Sequence, residues 1–354
     1  MQQNDLTSLV QEQVQSAFIN DHTLNICAGK SKNFYGRTAC GEMLDLSGHR
    51  GIIHYAPEEL VITARSGTPL IDIELALAEQ QQMLAFEPPS FTEATTIGGT
   101  VATGLSGPRR PYAGSVRDFV LGMKLINGKS EILKFGGEVM KNVAGYDVSR
   151  LQTGALGTMG VLLDISLKVL PRPAEELTLA YPLTLIKAHN KMLNWISQPL
   201  PISATAWSNN QLYVRLSGQS MVIDSVKSQL GGQLLEENAK WWQALRDHKL
   251  EYFQTDQPLW RISLPATTAE LPLAGEWLYE WNGALRWLRS DVADDEIRRV
   301  VADAGGHATL FRGGDRDAEI FHPLNSVMAQ LQQRIKQSFD PKGILNPGRM
   351  YASL

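Results

Sequence analysis

Apolar positions near the start of the chain recur at helical spacing. Leu6, Leu9, Val10, Val14, Ala17 and Phe18 fall on one face and predict an opening amphipathic helix. The short run Leu24-Asn-Ile-Cys27 then predicts a buried strand that opens into the small-residue loop Ala28-Gly-Lys-Ser-Lys32. Leu60-Val-Ile-Thr-Ala-Arg65 reads as a strand by its β-branched content. Ile71, Ile73, Leu75, Ala76, Leu77 and Ala78 follow as a helix beginning near Pro69, and Glu87-Pro88-Pro89 ends that unit. Two apolar runs, at 119–126 and 132–135, flank Asn127-Gly128, which predicts a tight hairpin, and 161–169 supplies a further strand.

Pro171-Arg-Pro173 stops regular structure and marks a boundary. Beyond it glycine thins out and tryptophan appears, with seven of the eight tryptophans between Trp207 and Trp287. The pattern predicts helices at 185–196, 221–230 and 241–245, and strands at 202–206, 212–216, 260–264, 277–281 and 284–288. Such an alternation points to a smaller α+β layer, an antiparallel sheet with helices on one face. Trp260, Trp277, Trp281 and Trp287 lie on its strands and read as core or as an apolar lid. A last helix at 324–339 leads into the turn-rich tail Asp340-Pro-Lys-Gly-Ile-Leu-Asn-Pro-Gly348.

With 354 residues, 43% of them apolar, the chain is long enough for two domains. A net charge of -4 and the lack of any basic block speak against a nucleic-acid partner. Cys27 and Cys40 form no CxxC pair, so the chain offers no disulfide framework and no iron–sulfur or zinc site of its own, and a reducing compartment is expected. The N-terminus lacks a signal-peptide pattern, and no apolar run approaches the roughly 18 residues needed to span a bilayer, so membrane attachment is expected only through a partner.

Between Thr95 and Val161 thirteen residues are glycine, clustered as Ile97-Gly-Gly99, Gly104-Leu-Ser-Gly107, Thr153-Gly154 and Gly157-Thr-Met-Gly160. A packed core has no need of so much glycine, and the clustering points to a backbone that approaches a large phosphate-bearing cofactor. The Gly29 loop has neither the GxxxxGK[ST] nor the GxGxxG spacing, so neither a P-loop nor a Rossmann nicotinamide site is indicated.

Five segments carry a family resemblance: Ala28-Gly-Lys-Ser31, Ala94-Thr-Thr-Ile-Gly-Gly99, Gly114-Ser-Val-Arg-Asp-Phe-Val-Leu-Gly122, Leu151-Gln-Thr-Gly-Ala-Leu-Gly-Thr-Met-Gly-Val161 and Phe339-Asp-Pro-Lys-Gly-Ile-Leu-Asn-Pro-Gly-Arg349. Together they resemble flavoproteins of the vanillyl-alcohol-oxidase type. Gly107-Pro-Arg-Arg-Pro111, Gly136-Gly-Glu-Val-Met-Lys-Asn-Val-Ala-Gly-Tyr-Asp147, Leu259-Trp-Arg-Ile-Ser-Leu-Pro265 and Ala304-Gly-Gly-His-Ala308 are similar to the FAD-binding subunits of bacterial glycolate oxidase complexes. The resemblance implies an α+β fold: a PCMH-type FAD-binding domain in two lobes over 1–173, an inserted antiparallel α+β cap over 174–322, and a return to the FAD domain over 323–354.

It also implies a cofactor set. Ala28, Gly29, Lys30 and Ser31 would hold the pyrophosphate on one side and Thr95, Gly98 and Gly99 on the other, through backbone N–H groups acting as anion nests. Ser106, Gly107, Gly114, Ser115, Arg117 and Asp118 would line the flavin, Gly157, Thr158, Gly160 and Val161 the adenosine half, Asn346 and Arg349 would close over the cofactor, and Pro88 would be a further cofactor-binding residue. Arg109-Arg110 reads as a solvated pair, a pyrophosphate counter-charge or a partner contact. Lys141, Asn142, Tyr146 and Asp147 read equally as cofactor contacts and as turn and capping residues before a helix.

No histidine lies between His54 and His189, so the flavin-linking histidine of covalently flavinylated relatives has no counterpart and FAD is expected to bind non-covalently. The paired-histidine motif of metal-assisted hydroxy-acid relatives is also missing, which predicts no catalytic metal. Arg261 and Arg289 are candidate clamps for a 2-hydroxy-acid carboxylate, because guanidinium offers a bidentate fork, and His307 is the candidate base. Two readings of function stand. One is an FAD subunit that oxidises glycolate or D-lactate and passes electrons to an iron–sulfur subunit, cytoplasmic or peripheral on the inner membrane through the complex. The other is a non-catalytic electron-transfer or scaffolding subunit beside a catalytic sister flavoprotein.

Overall fold

The computed structural model describes residues 3–137 and 146–354, the side chains of residues 146 and 147 excepted. The chain divides into two compact units, the first made of Met1–Leu105, Ser115–Pro171 and Arg316–Leu354, the second of Ser106–Gly114 and Arg172–Asp315. Residues 106–114, inside the stretch the sequence reading keeps with the first domain, thus belong to the second unit.

In the first unit the opening helix Thr7–Asn20 buries Val10, Val14 and Ala17. They share a core with Leu24 of β1 (Leu24–Cys27), Leu44 of β2 (Glu42–Asp45) and the tail residues Ile344 and Leu345. β1 and β2 pair in parallel. The tail extends this layer: the Leu24 amide donates to the Ile344 carbonyl at 2.7 Å and the Asn346 amide to the Leu24 carbonyl at 3.0 Å.

β3 (Ile52–Ala56) and β4 (Val61–Arg65) come next, with a helix at Leu70–Glu79 started by Pro69, whose fixed φ suits a helix entrance. The remaining strands are β5 (Gln82–Met83), β6 (Val120–Ile126), β7 (Ile132–Gly136), β8 (Val161–Lys168) and β9 (Leu170–Pro171). The order β3-β4-β8-β6-β7 builds one antiparallel sheet, and β5 with β9 a minimal second pair. β6 and β8 are buried along nearly their whole length, so both faces of the sheet are covered.

The β6–β7 hairpin forms as predicted, with Ile126 opposite Ile132, but its loop is longer than an Asn-Gly two-residue turn. Asn127 Oδ1 accepts from the amides of Lys129 and Glu131 at 3.0 and 2.9 Å, and Ser130 takes the left-handed φ of 63°. Gly128 serves close packing: a Cβ there would stand 2.8 Å from the Asp340 Cα.

The second unit is an eight-stranded sheet in the order β13-β10-β12-β11-β15-β16-β14-β17, with every neighbouring pair antiparallel. Its strands are β10 (Glu175–Pro182), β11 (Ile202–Ser208), β12 (Gln211–Gly218), β13 (Gln233–Leu234), β14 (Leu259–Ser263), β15 (Glu276–Glu280), β16 (Leu285–Arg289) and β17 (His307–Arg312). Helices at Leu185–Ile196, Ser220–Leu230 and Asn238–Arg246 lie where the spacing predicts them. β10, β17 and the helix Asp294–Asp303 escape the sequence reading. β10 begins on two glutamates, and the helix buries only Ile297 and Val301. Trp260, Trp281 and Trp287 are core residues, at most 4% exposed. Residues 106–114 join this unit through the Trp281 Nε1 donor to the Gly107 carbonyl at 3.1 Å and the Tyr112 hydroxyl to Asn282 Oδ1 at 2.9 Å.

The final helix, Ser326–Phe339, buries only a lysine among its residues. Lys336 Nζ donates to the Thr158 carbonyl at 2.6 Å, Asp340 Oδ2 at 2.7 Å and the Leu345 carbonyl at 2.8 Å. Asp340 in turn accepts from the Ile344 and Leu345 amides at 3.0 and 2.8 Å. Burial pushes the Lys336 ammonium below its ordinary pKa, and the Asp340 carboxylate opposes that shift. Removing one member of a buried pair leaves the other charge uncompensated. Lys336→Met is therefore expected to lower the unfolding free energy by about 3–5 kcal/mol, measured by urea denaturation.

Candidate functional site

A cleft in the first unit encloses about 740 Å³ counting its open mouth. Three of the glycine loops expected at a cofactor meet there: Gly29 with Lys30 and Ser31, Gly98 with Gly99, and Gly157 with Gly160. Ala28, Asn346 and Arg349 complete the part of the predicted set that borders it. Close backbone approaches at two of these loops need their glycines. A Cβ on Gly29 would stand 1.5 Å from the Ala94 carbonyl oxygen, and one on Gly98 2.6 Å from the Ser66 Cβ. Thr95 Oγ1 fastens the contact by donating to Ser31 Oγ at 3.0 Å.

The amides of Thr95, Gly98 and Gly99 are not arranged as the expected anion nest. They donate within the protein, to the Thr92 carbonyl at 3.1 Å, the Ser66 carbonyl at 2.7 Å and Thr96 Oγ1 at 3.2 Å. On the other loop Lys30 takes φ 54°, the left-handed conformation from which successive N–H groups converge on an anion. Leu156 at 52° and Asn346 at 42° are left-handed as well, so three strained non-glycine residues border one cavity. Such strain collects where a site requires it.

Asn346 and Arg349 do not turn their polar groups outward to a ligand. Asn346 Oδ1 accepts from the Ile26 amide at 2.7 Å while its Nδ2 donates to the Leu156 carbonyl at 2.7 Å, joining β1 to the Gly157 loop. The Arg349 guanidinium donates to the carbonyls of Asn33 at 2.9 Å, Tyr35 at 2.8 Å and Arg37, which fixes the turn after the first glycine loop. Burial, and after it the nearby Arg316, bring its pKa down to about 10.

Other predicted residues stand apart from the cavity lining. Pro88 is buried, Thr158 Oγ1 donates to the Ala155 carbonyl at 2.7 Å, and Val161 opens β8 in the core. Ser115 and Asp118 form a capping box, with Asp118 Oδ2 accepting from the Ser115 amide at 2.8 Å and Oγ at 2.7 Å. Burial works to raise the Asp118 pKa, but these bonds and the charges of Arg117 and Arg150 outweigh it and hold the carboxyl below its ordinary value. Arg117 is exposed. Ser106, Gly107 and Gly114 belong to the second unit. There Arg109 pairs with Glu176 and Arg110 lies 4.4 Å over the Trp281 ring. Lys141 and Asn142 lie outside the described residues, as do the side chains of Tyr146 and Asp147; the helix Tyr146–Gln152 begins at the first of these. Cys27, Lys32, Ser66 and Leu156 line the cavity and were missed. Lys32 is the last residue of the predicted small-residue loop, outside the predicted cofactor set, whereas nothing in the residue type of Leu156 marks it.

In the second unit, Arg261, Arg289 and His307 share one face of the sheet. Arg261 lies opposite Trp287, with Arg289 two residues further along the same strand, and His307 lies opposite Ser263. Arg261 stacks 5.3 Å from the Trp281 ring centroid. Arg289 is tethered to Glu276 at 3.1 Å and to the Tyr252 carbonyl at 3.2 Å. His307 is exposed as the first residue of β17. Among the described residues no group of three His, Cys, Asp or Glu side chains is placed to hold a metal ion.

Residues 8–136 match the family of FAD binding domains, and residues 313–350 the C-terminal domain of FAD linked oxidases. The 4-ethylphenol oxidase of Gulosibacter chungangensis shares the fold, with a TM-score of 0.69 at 15% identity over 98% of this chain and 88% of that one. These matches define an FAD-linked oxidoreductase of the vanillyl-alcohol-oxidase type. The chain is 49% identical to the glycolate oxidase subunit GlcE of Escherichia coli over 350 residues, 99% of each chain. It is 31% identical over 156 residues to the glycolate oxidase subunit GlcD of Bacillus subtilis, 44% of this chain and 32% of that one. The chain therefore belongs to the GlcE family of glycolate oxidase subunits.

The cavity suits FAD on its own terms: glycine-rich loops and basic side chains border it, and among the described residues no Asp or Glu does. Ala28 to Ser31, Gly157, Gly160 and Lys32 are the residues that would face the cofactor. Asn346→Ala is expected to free the Ile26 amide and the Leu156 carbonyl, at about 1–3 kcal/mol for each polar group left buried and unsatisfied. Thermal unfolding should register the loss, with weaker FAD retention on gel filtration.

Proposed function

We propose that this chain is the FAD-bearing subunit of a glycolate dehydrogenase complex, that it oxidises glycolate to glyoxylate and accepts D-lactate, and that its electrons pass to an iron–sulfur subunit. The observation that carries the reading is the 49% identity to GlcE across 99% of both chains. Similarity to GlcD, the name of a different glycolate oxidase subunit, supports an assembly with a sister flavoprotein. Among the described residues no helix is long and apolar enough to cross a membrane, in keeping with membrane contact through partners.

In this reading FAD supplies the acceptor for the α-hydrogen and its two electrons. Arg261 holds the substrate carboxylate through its planar fork, steadied by the Trp281 ring behind it. His307 takes the hydroxyl proton as the C–O bond becomes a carbonyl. Its backbone and that of Arg261 are diagonal neighbours across β14 and β17, roughly 7–8 Å apart.

Anaerobic mixing of the purified FAD-loaded chain with glycolate tests the proposal. Bleaching of the oxidised flavin absorbance is expected, and Arg261→Leu should raise the glycolate concentration needed by about tenfold or more through loss of a charge-assisted contact. Flavin that stays oxidised in the isolated chain, yet is reduced once a catalytic sister subunit is added, would assign turnover to that partner.

A further inference from the structure

The final helix, Ser326–Phe339, leaves apolar side chains in solvent: Val327, Met328 and Leu331 are 72%, 41% and 48% exposed. Met328, Leu331 and Ile335 follow at i, i+3 and i+7, which sets them in one row along the helix. Ile335 and Gln332 border a second cavity of the first unit, about 610 Å³ counting its mouth. The exposed row therefore runs into that opening. Leu151, Met159 and Met350 are among the other lining residues. Among the described residues of the lining only Lys336 has a charged side chain, and its ammonium is held by the Thr158 and Leu345 carbonyls and by Asp340. The cavity thus suits an uncharged, apolar side chain.

A partner must match both the row and the cavity. Three exposed side chains and one cavity mouth fall short of the about 800 Å² a side that a stable symmetric dimer buries. A single amphipathic helix reads just such a row, with one anchor set into a pocket. The charge of the final helix is also one-sided: it carries Arg334 and Lys336 and no Asp or Glu, which favours acidic flanks on the partner. We propose that this helix and the cavity beside it are the docking face for an amphipathic helix of the sister flavoprotein subunit. That helix sets an apolar anchor into the cavity and an acidic flank against Arg334. The proposal rests on the reading of this chain as a subunit beside such a flavoprotein, and adds the surface that joins them.

The test titrates the full, FAD-loaded chain with its sister flavoprotein subunit and checks the complex by gel filtration. Leu331→Asp and Ile335→Asp should each weaken binding at least tenfold, while Leu331→Met stays close to the parent. Arg334→Glu should weaken it more at low salt than at high salt. FAD content and thermal unfolding equal to the parent show that a variant is folded; should Ile335→Asp fail to fold, the exposed Leu331 carries the test. Binding within twofold of the parent in Leu331→Asp would overturn the proposal and leave the assembly reading intact. A parent that binds no sister subunit would overturn both. Light scattering that finds the isolated chain a dimer, broken by Leu331→Asp, would give the face to a second copy. Flotation with phosphatidylglycerol vesicles, lost in the same variant, would give it to lipid. Either result would overturn the proposal.

Discussion

Asn346 joins three parts of the chain that lie up to 320 residues apart. Its side chain bonds the Ile26 amide and the Leu156 carbonyl while its own amide reaches the Leu24 carbonyl, so one residue fixes β1, the Gly157 loop and the tail around one cavity. The backbone must turn left-handed to do this, a conformation asparagine tolerates better than most residues. Ten positions earlier Lys336 repeats the logic from the other side, binding the carbonyls of Thr158 and Leu345 with the carboxylate of Asp340. The tail is thus part of the cofactor layer, and the first unit is discontinuous in sequence because its cavity is closed from the far end.

That closure explains which features were legible in the sequence. Apolar periodicity located the opening helix, β1, the helix after Pro69 and most of the second unit to within a few residues, because each buries one regular stripe. The polar helix Asp294–Asp303 carries too few apolar positions to announce itself, whereas β10 does alternate Leu177, Leu179 and Tyr181 behind its two leading glutamates and went unread next to the Pro171-Arg-Pro173 stop. Of the glycine clusters, Gly98-Gly99 and Gly157 with Gly160 border the cavity, whereas Gly104, Gly107 and Gly154 are not among its lining residues, and some glycines serve packing instead. Gly29 lets its loop pack on the backbone of Ala94, Gly98 lets its helix start approach Ser66 after β4, and Gly128 makes room for Asp340.

Residue type proved a weaker guide to role than to location. Arg349 and Asn346 border the cavity as expected, yet their polar groups hold protein backbone in place. Lys30 is where the resemblance implies, but its cation points outward and the neighbouring Lys32 is the buried one. Side-chain direction of this kind depends on a left-handed residue in the loop, which spacing alone does not reveal. In the second unit the register of β14 sets Arg261, Arg289 and His307 on one face, although Arg289 is already occupied by Glu276.

The central expectation is one FAD held without a covalent link by the glycine loops and the tail of the first unit. Acid precipitation of the purified protein, followed by flavin analysis of supernatant and pellet, tests that most directly. About one FAD per chain in the supernatant is the predicted result. Flavin that remains with the precipitated protein, or a chain that acquires none when reconstituted with excess FAD, would contradict it.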